Sequence, residues 1–223
     1  MGLTHPAAPY VAPFAVFMFL LAGERYIPLG IEVMYPIRIL VVSALLLVLS
    51  RDVVDLRPRA WLGSVLLGAA VFVIWIGPDT LWPAWRSHWL FHNSIVGEVR
   101  SSVPDAVRGN LVFIVFRTLG CAVVVPIFEE IFWRGWLARW LVDSRDFRNA
   151  PLGAYTPAAF WIGSALFAVE HGPYWDVGLL CGILYNWWMI RTRSLADCIL
   201  THAVTNACLS AWVLARGQWQ YWM

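Results

Sequence analysis

The chain has 223 residues, 60% of them hydrophobic and 13% charged, with 15 Trp and a formal net charge of +2. Soluble domains carry about a quarter charged residues, so this composition and its long apolar runs exclude an ordinary soluble globule and indicate a polytopic membrane protein. The small net charge offers no footing for nucleic acid, and all 16 basic residues are Arg.

Residues 11–22 are apolar but short for a crossing, and Gly23, Glu24 and Arg25 close them; they read as a tilted or interfacial helix. Residues 33–49 read as a span, with Pro36 in the first turn, where proline is tolerated. Arg51, Arg57 and Arg59 then mark a cytoplasmic loop, and residues 61–76 form the next span, closed by Gly77, Pro78 and Asp79. The long connection 80–107 mixes Trp82, Trp85 and Trp89 with Arg86, His88, His92 and Glu98, a composition suited to the bilayer surface. His88 and His92 would share a face if that stretch were helical, a metal-ligand spacing, but no carboxylate joins them at helical spacing.

Residues 111–128 form a span that continues into a motif helix over 129–142, with a bend expected at Pro126. Further spans cover 158–169, 178–190 and 196–214. The expectation is an all-α fold, a polytopic membrane bundle of seven or eight helices around an intramembrane polar cavity. Residues 1–223 read as one integral-membrane domain whose motif core is about 111–214. The N-terminus lacks a basic n-region, so no cleaved signal peptide is expected. With a cytoplasmic N-terminus, seven loop Arg fall inside and five outside, a weak positive-inside bias that suits a multi-pass protein of the cell (inner) membrane. Cys121, Cys181, Cys198 and Cys208 show no CxxC spacing and read as buried free thiols.

Three patterns place polar groups on apolar helices. Glu129, Glu130 and Arg134 form E-E-x-x-x-R, in which Glu130 and Arg134 stand at the favourable i, i+4 spacing for an ion pair. Glu129 is then the carboxylate without an obvious partner. Phe167 and His171 form F-x-x-x-H, and His202 and Asn206 form H-x-x-x-N. Singly these are an ion pair, a helix-end residue and interhelical hydrogen bonding. Together they ask for polar partners on three separate spans, and one shared wet cavity satisfies all of them.

Such a cavity can hydrolyse an amide. A desolvated carboxylate beside a neutral imidazole can deprotonate a water, and a second imidazole with a carboxamide can donate to the developing oxyanion. Glu129 with His171 would be the base pair and His202 with Asn206 the donors. No Ser or Cys in these motifs has an adjacent base, so a covalent intermediate has little support. No cofactor is expected. Zinc held by Glu129, His171 and His202 is the alternative, against which stand the lack of H-E-x-x-H and the poor ligand Asn206. One depth sits badly: Glu129 falls near the cytoplasmic end of 111–128, whereas His171 lies about 14 residues into its span, roughly 21 Å of helical rise.

The three motifs, in this order on hydrophobic helices, resemble the CAAX-processing and bacteriocin-processing (Abi) family of glutamate intramembrane proteases, over about 128–211. The stretch Phe132-Trp133-Arg134-Gly135-Trp136 is also similar to the family's F-R-G. The resemblance implies a helical membrane core in which Glu129 activates water with His171, His202 and Asn206 hold the oxyanion, and Glu130 with Arg134 shapes the site. The implied partners are a lipid bilayer and a membrane-anchored protein or peptide cleaved near its C-terminus, prenylated or carrying a sorting tail. The segment WIGPDTLWP is similar to the bacterial CAAX-protease-related proteins beside exosortase sorting systems, which would add an exosortase-type association. Two other classes compete: a non-catalytic immunity or scaffold protein binding a peptide in the same cavity, and a small transporter, for which no internal repeat is visible.

Overall fold

The computed structural model describes residues 5–222. Among the described residues there are seven helices: α1 (Ala8–Gly23), α2 (Ile31–Ser50), α3 (Trp61–Leu81), α4 (Leu111–Val142), α5 (Pro157–Glu170), α6 (Trp175–Thr192) and α7 (Leu195–Arg216). No strand occurs among the described residues; one isolated bridge joins Asn93 to Gly97. The fold is therefore all-α, as the sequence predicts. Four helices, α2, α3, α4 and α7, have the length and apolarity to cross a membrane, while α5 is a shorter apolar helix.

The principal packings are α3 along α7 and α5 along α6, with α1 seated against α2 and α4. Gly68 makes the first one close. A Cβ there would stand 2.5 Å from the Thr201 carbonyl and 2.8 Å from Val204 Cβ, and the Gly68 carbonyl accepts the Thr205 hydroxyl at 2.9 Å. The C-terminal half of the chain also caps α3. Asp197, inaccessible to solvent, accepts from the N–H groups of Arg59 and Ala60 and from the Ser64 hydroxyl. We predict that Gly68→Val pushes α3 off α7 and costs roughly 1–3 kcal/mol, the usual penalty of overpacking, read as a lowered thermal midpoint in detergent.

Pro13 inside α1 is matched by a polar side chain from a neighbouring helix. Pro13 has no N–H for the Pro9 carbonyl one turn earlier, and the Ser50 hydroxyl of α2 takes that oxygen at 2.6 Å. At the end of α3 the helix runs on through Pro78 to Leu81, a turn past the stop that Gly77 and Pro78 suggest. That turn closes by Thr80 Oγ1 donating to the Ile76 carbonyl at 2.7 Å and Trp82 N–H to Pro78 O. It carries Asp79 within 2.8 Å of Arg86 Nε.

The connection after α3 is irregular, with short turns at Trp85–Ser87 and Asp105–Val107. The shared helical face expected for His88 and His92 does not form. His88 Nδ1 accepts the Leu90 N–H, while His92 pairs with Glu98 at 3.0 Å. Hydrogen bonds from His92 and Arg100 draw the Glu98 carboxyl below its ordinary range. The connection is tied down where Arg86 reaches Asp79, Asp176 and the Pro173 carbonyl and Trp85 donates to Asp176. Cys121, Cys181, Cys198 and Cys208 are all free thiols.

Candidate active site

Helix α4 is unusual in its own backbone. Its turns widen to i→i+5 hydrogen bonding over Gly120–Val124 and again over Ile131–Leu137, on either side of Pro126–Glu130. Wide turns of this kind concentrate at functional sites. Here the first has a traceable cause. Val125 N–H goes to the Gly120 carbonyl, and residue 126 is a proline without an N–H. The Cys121 carbonyl thus has neither of its usual helical donors, and Asn206 of α7 supplies one from Nδ2 at 2.9 Å. The expected bend at Pro126 is resolved as these two wide turns in one continuous helix.

Glu130 is wholly buried and makes the i, i+4 pair with Arg134, Oε1 to Nη1 at 3.1 Å. The same oxygen lies 3.0 Å from His202 Nδ1. Arg134 also donates from Nε to Asn186 Oδ1 at 3.0 Å, and Asn186 in turn donates to the Ser164 hydroxyl and the Phe160 carbonyl. The guanidinium lies over the rings of Phe167, at 4.7 Å, and Tyr185, at 5.6 Å. This buried charge pair draws partners from α5, α6 and α7 as well as its own helix, which offsets part of its desolvation, while Glu130 Oε2 and Arg134 Nη2 are buried without a hydrogen-bond partner among the described residues.

Glu129, one residue earlier, turns to a different neighbourhood. Its Oε2 is buried with no hydrogen-bond partner among the described residues and stands 4.0 Å from His202 Nε2, a gap that one bridging water fits. His171 follows the last turn of α5 and holds its Nδ1 2.7 Å from the Phe167 carbonyl. A carbonyl only accepts, so Nδ1 carries the proton and Nε2 of the neutral ring keeps its lone pair. Trp75 packs edge-on against that imidazole at 5.2 Å and Phe167 tilts onto it at 4.7 Å, which fixes the ring. Phe167 therefore serves twice, by its carbonyl and by its ring.

Glu129, His171, His202 and Asn206 all line one cavity of about 220 Å³ among α1, α2, α3, α4, α5, α6, α7 and the C-terminal turn. The depth mismatch disappears because α4 continues about 13 residues beyond Glu129, roughly 20 Å of rise. From the Val142 end, Glu129 is about as deep as His171 is from Pro157. Among the described residues no group of three His, Cys, Asp or Glu side chains that could hold a metal ion is found.

Sequence reasoning missed several contributors. Asn186 and Tyr185 of α6 complete the surroundings of Arg134 and His202; the Tyr185 hydroxyl donates to Thr205 Oγ1 at 2.8 Å and its ring lies 5.3 Å from that of His202. A lone Asn in an apolar span was the available signal. Arg38 and Arg117 also line the cavity, and an Arg within each of two spans was equally visible.

A bundle with membrane-length helices that buries carboxylates, imidazoles and a carboxamide around one cavity is a membrane protein built around a polar site. Residues 111–208, a little under half of the chain, match the family model described as type II CAAX prenyl endopeptidase, Rce1-like, so this segment is similar to that family. The match supports a protease function in general. No curated protein and no solved structure gives a significant match to the chain.

Proposed function

We propose that the chain is an intramembrane endopeptidase that hydrolyses a peptide bond near the C-terminus of a membrane-anchored substrate, using Glu129 and His171 to activate water. The observation that carries this reading is the shared cavity, which Glu129 and His171 both line, with Glu129 Oε2 unpartnered among the described residues and His171 Nε2 keeping its lone pair. A water held there gives its proton to this pair as its oxygen bonds to the scissile carbonyl carbon, and the C=O electron pair moves onto oxygen. The C–N bond then breaks, and the same proton passes to the leaving amine.

The oxyanion falls to His202 and Asn206. His202 Nδ1–H is committed to Glu130, so its Nε2 donates when the ring is an imidazolium, the form that Glu130 steadies much as the triad aspartate steadies its histidine. One N–H of Asn206 is anchored on the Cys121 carbonyl; the second is the donor. Glu130 is thus a positioning residue for His202 as well as a partner of Arg134. The substrate class is a lipid-anchored or sorting-tail peptide, within an exosortase-type sorting system if the N-terminal likeness extends to partners. The chain would work as a multi-pass protein of the inner membrane, without a bound metal.

The test is proteolysis by purified protein against lipidated and unlipidated C-terminal peptides. His171→Ala should lower kcat by about 10²–10⁴-fold, the worth of a positioned general base, and wild-type activity should be indifferent to chelator. Loss with chelator and recovery with zinc would overturn the metal-free mechanism.

A further inference from the structure

Helix α7 brings a third polar residue to the catalytic cavity. His202, Asn206 and Ser210 stand at successive i, i+4 positions, and all three line that cavity. Ser210 is 1% exposed, and its hydroxyl has no hydrogen-bond partner among the described residues. A serine or threonine inside a helix can give its proton to the carbonyl four residues back. Ser64, Thr80, Ser164, Thr192, Thr201 and Thr205 all do so, at 2.7–3.1 Å. Ser210 makes no such bond to the Asn206 carbonyl. Thr118 of α4 is likewise unpartnered, but it is not part of this cavity's wall. A buried hydroxyl left unpaired is unfavourable, and the cavity that Ser210 lines is where a partner can stand.

We infer that Ser210 is a substrate-binding residue whose hydroxyl hydrogen-bonds the peptide backbone two or three residues from the scissile bond. The inference rests on the proposed peptidase reading and adds to it how the substrate is held in register. Each i, i+4 step along α7 advances about 6 Å, so Ser210 lies roughly 9 Å beyond the midpoint of His202 and Asn206. An extended peptide covers about 3.3–3.6 Å per residue. With its reacting carbonyl at His202 and Asn206, such a peptide lying along this face of α7 therefore reaches Ser210 within two or three residues. The adjoining face of the helix is already committed. Thr201 and Thr205 bond main-chain carbonyls, Thr205 on α3 as well as on its own helix. No carboxylate or imidazole bonds the Ser210 hydroxyl, so it lacks the base that a nucleophile needs and serves binding. Leu209 and Trp222 of the same cavity wall supply apolar surface for uncharged side chains of the peptide.

The experiment is an ester scan. In fluorescent lipidated and unlipidated C-terminal peptides each backbone amide is replaced in turn by an ester, which removes one N–H and weakens the adjoining carbonyl as an acceptor. Binding is measured on Glu129→Gln with and without Ser210→Ala, and cleavage on wild type and Ser210→Ala. Ser210→Ala should weaken binding of the all-amide peptide about 3–10-fold, the usual worth of one hydrogen bond. It should raise KM by a like factor and leave kcat nearly unchanged. One ester, two or three residues from the cleaved bond, should weaken binding only while Ser210 is present, and Ser210→Thr, which keeps the hydroxyl, should restore that sensitivity. Each ester is compared with the all-amide peptide on the same variant, so a loss of folded protein does not imitate the effect. The same ester pattern with and without Ser210, or no binding of any peptide, would overturn the inference. A Ser210-dependent ester effect on peptides that wild type does not cleave would overturn the peptidase reading and leave the binding role standing. Cleavage with a KM indifferent to Ser210→Ala would do the reverse.

Discussion

Glu129→Gln should reduce peptide cleavage by about 10³-fold or more while leaving the protein folded. Glutamine has nearly the shape of glutamate, so the cavity keeps its lining, yet the carboxamide cannot accept a proton at neutral pH. The loss expected for a positioned general base is about 10²–10⁴-fold, and the upper part of that range applies because Glu129 Oε2 has no protein hydrogen bond among the described residues to share its charge. The substitution also removes a buried carboxylate, and uncompensated burial of charge is unfavourable. Thermal stability in detergent should therefore hold steady or rise. Activity lost together with stability would point to a structural role for Glu129, and activity retained would remove it from the mechanism. The measurement is kcat on a cleaved peptide beside the thermal midpoint of the same preparation.

Much of the fold was legible because apolar run length is a strong signal. The predicted boundaries for α2, α4, α6 and α7 lie within a few residues of the observed ones. The departures have local causes. Helix α3 overruns Pro78 because the Thr80 hydroxyl and the Trp82 N–H take up the carbonyls of its last turn. No periodicity shows that Thr80 will close the turn after Pro78 with its own hydroxyl. The wide turns of α4 were invisible for a related reason: the donor to the Cys121 carbonyl, Asn206, stands 85 positions away. His88 and His92 have helical spacing in a segment that is not helical, so their shared face existed in the sequence alone.

The site was legible as a set of residues and less so as a set of bonds. Spacing was enough to pair Glu130 with Arg134, since i, i+4 geometry is local. It could not show that Glu130 Oε1 also meets His202 Nδ1, which requires the packing of α7 against α4. That contact changes the chemistry available to His202, because it decides which ring nitrogen carries the proton. Asn186 shows the same limit: a polar residue in an apolar span signals a buried partner, but its bond to Arg134 Nε spans 52 positions.

Removing Arg134 should be the most destabilising single change in the site. Arg134→Met keeps length and apolar bulk but leaves Glu130, wholly buried, with His202 as its remaining partner. Breaking a buried ion pair from one side costs about 3–5 kcal/mol, since the surviving charge is left desolvated, and in a chain of this size that corresponds to a fall of roughly 10 °C in the thermal midpoint. Asn186 Oδ1 would lose its donor as well. The double variant Glu130→Gln/Arg134→Met removes both charges and should recover much of the stability. It should not recover activity, because a carboxamide in place of the Glu130 carboxylate holds His202 Nδ1 without the negative charge that steadies an imidazolium. Stability and catalysis would then separate in one pair of proteins, by thermal unfolding and peptide cleavage. A double variant that regained both would show that Glu130 acts through Arg134 alone, and His202 would lose the charged-donor role argued for it.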